Sequence, residues 1–180
     1  MKSKLITRKL VVLSILVFVL VSFSAFLLNK IIVAPAVKNS NDKFNIVEQE
    51  ETLGIKTTLD GYKYYIDDAK AEVIIVDYIG NKTEIEIPNE IENISVKKID
   101  ITCFVHNKII ETVVVPKSVY QINSWAFAEC KSLKKVIINN PDTLFGDCVF
   151  IDTNAMICAQ KNSKVEKYAT DNNIKFEELN

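Results

Sequence analysis

Three phenylalanines set 23 residues apart, Phe104, Phe127 and Phe150, restrict the fold of this 180-residue chain more than any other feature. Six positions after each come Ile110, Leu133 and Met156, and nine after each come Val113, Val136 and Ala159. Eleven after the first two come Val115 and Ile138. Plain strand alternation has a period of two and fixes nothing 23 positions away, so aligned apolar columns at this spacing mark a repeated supersecondary unit. Upstream, EIEIPNEI at 84–91 matches TVVVPKSV at 112–119, with Pro88 answering Pro116. That step is 28 residues against 23 elsewhere, so the first unit carries extra residues in the stretch ENISVKKID.

The spacing dictates the unit. Val113 and Val115 alternate, as a short strand places two side chains on one face. Pro116 ends that strand because it lacks the N–H a ladder needs. Val119 and Ile122 are expected to point inward, Phe127 to fill the core, and Cys130 and Leu133 to return the chain to the next strand at Val136. One such coil is too thin to bury its apolar edge, and stacking joins the edges into one core with parallel strands.

The runs IPNEIENISVKKI and VVVPKSVYQINSWAFAECKSLKKVII resemble the BspA-like leucine-rich repeat of bacterial and some protozoan surface proteins. Val113, Val115, Pro116, Val119, Ile122, Ala126, Phe127, Cys130 and Leu133 occupy the motif columns. The unit before departs from the pattern, with Cys103-Phe104 for Ala-Phe and Asn107 at the cysteine column. The unit after departs further: Asn139 stands where Pro is usual, Val149-Phe150 replaces Ala-Phe, and Thr153 sits at the cysteine column. YKYYIDDAKAEVIIVDYIGNKTEIEIP is similar to the segment that opens many such arrays, with strands expected at 62–66 and 73–79. The tail KNSKVEKYATDNNIKFEEL looks like a terminal cap, a helix over 164–172 and a strand at 174–176. The resemblance implies an α/β solenoid: a short leucine-rich-repeat stack of parallel strands with a small N-terminal β cap and a C-terminal helix-strand cap.

The near-neutral total, 22 Lys/Arg against 23 Asp/Glu, averages two unlike parts. Residues 1–37 hold Lys2, Lys4, Arg8, Lys9 and Lys30 and no acid, while residues 38–180 hold 17 bases against all 23 acids. An acidic body argues against a nucleic-acid footprint, which needs clustered positive charge. Residues 10–28, LVVLSILVFVLVSFSAFLL, have no charge, Pro or Gly and are long enough as a helix to approach the roughly 30 Å of bilayer hydrocarbon. The expectation is therefore one transmembrane helix ahead of the solenoid. It divides the chain into a cytoplasmic basic segment (1–9), a signal-anchor helix (10–33), a linker (34–58) and the repeat domain (59–180). The basic flank places the body outside the cell membrane as a single-pass protein, with the lipid bilayer as a partner through residues 10–28. The alternative is secretion after signal-peptide cleavage, for which Ala34-Pro35-Ala36 is the nearest small-residue site.

Chemistry is sparse. The one histidine, His106, has no second imidazole with which to build a dyad or metal site, and reads as a turn residue at the solvent boundary. Cys103, Cys130, Cys148 and Cys158 show no paired short spacing and read as mostly buried free thiols, with Cys148–Cys158 the one pairing to test. Asp67-Asp68 and Asn139-Asn140-Pro141-Asp142 are turn formers and lack a calcium-loop pattern. No phosphate-binding glycine loop or nucleophile elbow occurs. No catalytic, metal or cofactor site is expected. Tyr120 and Trp125, flanking the turn of the best-matching unit, are the candidate surface contact. The expected function is a non-enzymatic, membrane-anchored surface protein whose repeats bind a protein or surface glycan. An envelope structural or regulatory partner of another membrane protein is the alternative, and an extracytoplasmic hydrolase a remote one.

Overall fold

The structure, a computed structural model, describes residues 54–179. Its first elements are β1 (Lys56–Thr57), β2 (Tyr62–Asp67), β3 (Glu72–Tyr78), β4 (Glu84–Glu86), β5 (Glu90–Ile91) and β6 (Ile94–Ile99). There follow β7 (Thr112–Val115), β8 (Gln121–Ile122), β9 (Lys135–Ile138), β10 (Leu144–Phe145), β11 (Met156–Ala159), α1 (Lys164–Asp171) and β12 (Lys175–Glu178). Among the described residues the strands form two sheets. One runs in the order β1-β2-β3-β6-β8-β10 with β5 paired to β6, and the other β12-β11-β9-β7-β4. Each repeat gives one strand to each sheet, and between neighbouring repeats the strands are parallel.

The core follows from the alternation. Val113 and Val115 are fully buried while Thr112 and Val114 between them are half-buried and face out. In register, Ile85, Val113, Val136 and Ile157 form one inner row. The phenylalanines stack as rings: Phe104 on Phe127 at 4.9 Å and 3°, Phe127 on Phe150 at 5.3 Å and 4°. These separations are close to the inter-strand spacing, so a residue repeated at one position per coil falls on its own copy.

The segments after β6, β8 and β10 carry a third ladder. Phe104 N–H donates to Ala126 O (2.8 Å), Phe127 N–H to Val149 O (3.0 Å), His106 N–H to Ala128 O (3.0 Å) and Glu129 N–H to Ile151 O (2.9 Å). Six turn residues fall into two left-handed columns with the 23-residue period: Thr102, Trp125 and Cys148, then His106, Glu129 and Asp152, all with φ between 54° and 58°. Each turn is thus bracketed by two left-handed corners, none of them a glycine.

The extra residues of the first unit form a tight hairpin, β5–β6, in which Glu90 pairs with Ser95 and Ile91 with Ile94. Its two turn residues, Glu92 and Asn93, both have positive φ (53° and 63°), the requirement of a two-residue turn matched to strand twist. The last unit differs from expectation in register. β11 pairs Ile157 with Val136 and Ala159 with Ile138, so Ala159 follows the Val115 column and Met156 faces out beside Lys135. The return from Phe150 to the strand is two residues shorter than the repeat, and Ala155 is buried there in place of Met156.

Both ends are closed. At the N-terminal side Tyr62 OH donates to Glu86 O (2.8 Å), occupying a carbonyl on edge strand β4. At Gly61 a side chain would meet the Gly80 backbone nitrogen at 2.6 Å, so the turn before β2 packs directly on the chain after β3. At the C-terminal side α1 buries Val165 and Ala169, and Tyr168 stacks on Phe145 at 3.9 Å.

The expected transmembrane helix is corrected. Among the described residues no helix is long and apolar enough to cross a membrane. α1 has eight residues, about 12 Å against a hydrocarbon core of roughly 30 Å, and bears Lys164, Glu166, Lys167 and Asp171. The fold class is a short parallel solenoid with small caps. The assigned span, 10–33, lies outside the described residues, as do segment 1–9 and most of the linker 34–58. The described end of that linker already holds β1.

Candidate functional site

Tyr120 lies just before β8 and Trp125 in the turn after it. The Tyr120 hydroxyl donates to Glu72, 3.3 Å from each carboxylate oxygen. Lys98 closes the group: its ammonium is 3.0 Å from Glu72 and 5.5 Å from the centroid of the Tyr120 ring. Tyr120 and Glu72 hold the Lys98 ammonium above its ordinary pKa against the effect of desolvation. Tyr120 is therefore committed to a cross-strand cluster on the outer face of its sheet. Trp125 occupies a left-handed corner, its backbone N–H bonded to Asp147 O at 3.1 Å, and its ring is half-buried. No ring contact joins the two aromatics, so they stand as separate positions rather than one patch.

His106 is exposed on its corner, with Nδ1 3.3 Å from Glu129 Oε2, a residue of the next coil in the same column. The four cysteines are free thiols; Cys103, Cys130 and Cys158 are buried and Cys148 is exposed. Burial raises the Cys103 thiol well above its ordinary value and that of Cys130 to about 11. Cys130 Sγ donates to Phe104 O at 2.9 Å, a bond directed into the preceding coil. At the equivalent positions Asn107 Oδ1 accepts from Ile109 and Ile110 N–H (2.9 Å each), and Thr153 Oγ1 donates to Phe150 O (2.9 Å). This column is a polar clip for the turn, which three chemistries satisfy. Among the described residues no cluster of His, Cys, Asp and Glu could hold a metal.

A surface the sequence reading passed over is the outer face of the β4-β7-β9-β11-β12 sheet. Register sets two rows across it: Glu84, Thr112, Lys135, Met156, Lys175, and Glu86, Val114, Ile137, Cys158, Glu177. Its middle is apolar, with Val114, Ile137 and Met156 half-buried on three adjacent strands. Cys158 lies buried beside Lys135, which reaches Glu177 at 3.6 Å. The signal was present as outward Val114 and Ile137, but only pairing between distant strands shows that they adjoin.

With this geometry in place the class of protein is clear: a leucine-rich-repeat solenoid. Residues 97–180 match the BspA type Leucine rich repeat region family, and this part of the chain is a leucine-rich-repeat region of that type. Proteins with repeats of this type are generally non-catalytic, which agrees with the expectation of a chain without enzymatic activity. Among solved structures, a leucine rich cell surface protein from Faecalibacterium prausnitzii A2-165 is similar at 25% identity and TM-score 0.46. The match covers 58% of this chain and 32% of that one, so the chain spans about a third of its length. A leucine-rich repeat protein from Bacteroides capillosus has 26% identity and TM-score 0.42, over 49% of this chain and 73% of that one. The Leucine Rich Repeat protein of T. pallidum has 14% identity and TM-score 0.39, over 57% and 71%. No curated protein matches the chain.

The expected function, partners and localisation are corrected at one point. Membrane anchoring, a bilayer partner through residues 10–28 and single-pass topology have no membrane-crossing helix among the described residues to carry them, and the repeat family does not supply them.

Proposed function

We propose that the chain is a non-enzymatic binding module of the bacterial cell surface whose repeats present side chains at fixed spacing to a protein or surface glycan. The match of residues 97–180 to the repeat family carries this reading. The scaffold supports it. Three ladders of hydrogen bonds hold each coil to the next, so an exposed side chain is preorganised and loses little entropy on binding. Trp125 is the contact residue of this reading: its ring is partly open to solvent. Tyr120, held by Glu72 and Lys98, is the supporting contact.

The test is adsorption of the purified full chain to arrays of bacterial surface glycans and envelope or host matrix proteins. Saturable binding that falls about tenfold in Trp125→Ala, with unchanged thermal unfolding, is expected from the loss of one aromatic anchor. Absence of saturable binding to every class on the array removes the reading.

A further inference from the structure

We propose that residues 148–152, the last coil of the third ladder, form an open hydrogen-bonding edge that takes a protein segment running parallel to them. That segment is basic at both ends and aliphatic just before the second basic residue. The proposal goes beyond the binding reading above and does not use Trp125 or Tyr120 as contacts.

The edge follows from the direction of the ladder, in which each coil donates forward. The N–H groups of Thr102, Phe104 and His106 go to Ser124 O (3.2 Å), Ala126 O (2.8 Å) and Ala128 O (3.0 Å). One coil on, Trp125, Phe127 and Glu129 donate to Asp147 O (3.1 Å), Val149 O (3.0 Å) and Ile151 O (2.9 Å). The last coil repeats these donors as Cys148, Phe150 and Asp152, whose N–H groups have no acceptor among the described residues. The cap continues one sheet through β12 and lays α1 over Phe145, but supplies no further row of carbonyls here. Cys148 and Asp152 are exposed, whereas the middle donor belongs to buried Phe150, where an unpaired N–H is costly.

Three N–H groups in a row can take an anion or the carbonyls of a chain. An anion is disfavoured, because the exposed carboxylates of Asp147 and Asp152 stand at the two ends and have no ion pair among the described residues. Peptide carbonyls carry no net charge, and alternate carbonyls of one chain already fill this pattern twice in the stack. The columns then fix the partner's side chains. Its first, fifth and sixth residues fall beside Asp147, Ile151 and Asp152, as Ser124, Ala128 and Glu129 do from within the stack. His106 and Glu129 show the pairing such a column allows, 3.3 Å apart on successive coils. Basic residues are therefore selected at positions one and six, and an aliphatic residue at five covers exposed Ile151. Position four must be small, because Phe150 already has the Tyr168 ring at 6.4 Å.

No segment of this chain meets that pattern. Its basic pairs at the required spacing are Lys4 with Lys9 and Lys38 with Lys43, and they carry Arg8 and Asp42 at the aliphatic position. The edge is therefore matched to a partner of different sequence rather than to a second copy.

The test uses the full chain and three short fluorescent peptides. The first has lysine at positions one and six, valine at five and alanine or serine elsewhere. The second replaces the lysines with glutamate, and the third replaces the valine with serine. The first is expected to bind at least about tenfold more tightly than the second and several-fold more tightly than the third. In its complex, hydrogen exchange at the Cys148, Phe150 and Asp152 amides, read residue by residue, should slow at least about tenfold. Alkylation with N-ethylmaleimide, which reaches Cys148 because the other three thiols are buried, should weaken binding about tenfold by obstructing the edge. Asp147→Lys with Asp152→Lys, at two exposed positions, should reverse the preference between the first two peptides. Absence of binding, equal binding of the first two peptides, unchanged exchange at the three amides or indifference to alkylation overturns the proposal. So does concentration-dependent dimerisation abolished by alkylation, since the occupant would then be a second copy.

Discussion

The central coil and the C-terminal cap solve the same problem by different means. Around Phe127 every inward side chain is covered on both sides by its own equivalent: rings stack 4.9 and 5.3 Å away, and Val113 lies between Ile85 and Val136. The last coil has no such neighbour beyond it. There α1 lies over the end, burying only Val165 and Ala169 and pressing Tyr168 against Phe145. Like covers like inside the stack, whereas the end depends on a short helix and on β12, whose Phe176 pairs with Ile157 and packs against the core. A change in the middle therefore disturbs two interfaces, and a change in the cap disturbs one.

The largest expected difference is at Phe127. Phe127→Ala should cost about 3–5 kcal/mol in urea unfolding, from lost transfer energy and the cavity left between two rings. A loss under about 1 kcal/mol would break the claim that the stacked column carries the core.

Next comes the alkaline limb of the stability curve. Burial raises the Cys130 thiol from 9.0 to about 11, because its neutral form is favoured in the folded chain. The folded state thus keeps a proton that the unfolded state releases first. The stabilisation is complete below about pH 9 and is lost as pH rises toward 11, amounting to about 2–3 kcal/mol over that window. Stability of Cys130→Ala, measured from about pH 8 to 10.5, should start lower and fall less steeply than that of the parent chain. Parallel curves would show that Cys130 is not a source of the slope.

The stack was legible in the sequence because its information is periodic. Val113, Val115, Val119, Ile122, Ala126, Phe127, Cys130 and Leu133 are all buried as the repeat requires. Even Asn139, where the pattern usually has Pro, fits: its N–H, which Pro would lack, donates to Val115 O at 3.0 Å. Features set by contacts between coils were not legible. The two-residue shortening before β11 moved Met156 from the expected core to the outer face. The left-handed corners are occupied by Thr, Trp, Cys, His, Glu and Asp, so composition did not announce them. Tyr120 looked free until strand order brought Glu72, 48 positions away, to its hydroxyl.

The cap gives a smaller effect with a defined cause. Ser163 accepts from Glu166 N–H at 3.1 Å, and the Glu166 carboxylate accepts in return from the Asn162 N–H, close to the reciprocal arrangement of a capping box. Ser163→Ala should cost about 1 kcal/mol. Because Val165 and Tyr168 cover the last coil, hydrogen exchange should quicken first in β10, β11 and β12, with β7 unaffected. Uniform quickening across both sheets would mean that the cap and the stack unfold as one unit.

The smallest effect separates the two regions by sign. Asp152 is exposed at a left-handed corner, φ 56°, and its carboxylate has no ion pair among the described residues. A residue with a Cβ is strained there by about 1–2 kcal/mol, while glycine is not. Glycine also loses more chain entropy on folding, which offsets part of the relief, so Asp152→Gly should stabilise by about 0.5 kcal/mol. Thr170, equally exposed but inside α1, has ordinary helical backbone and donates its hydroxyl to Glu166 O at 2.9 Å. Thr170→Gly should destabilise by about 0.5–1 kcal/mol, because the helix offers glycine no strain to remove. Opposite signs for one substitution at two exposed sites would show that the coils hold strained corners to keep their pitch, whereas the cap is an unstrained helix. The same sign at both would mean that the corner geometry costs the stack nothing.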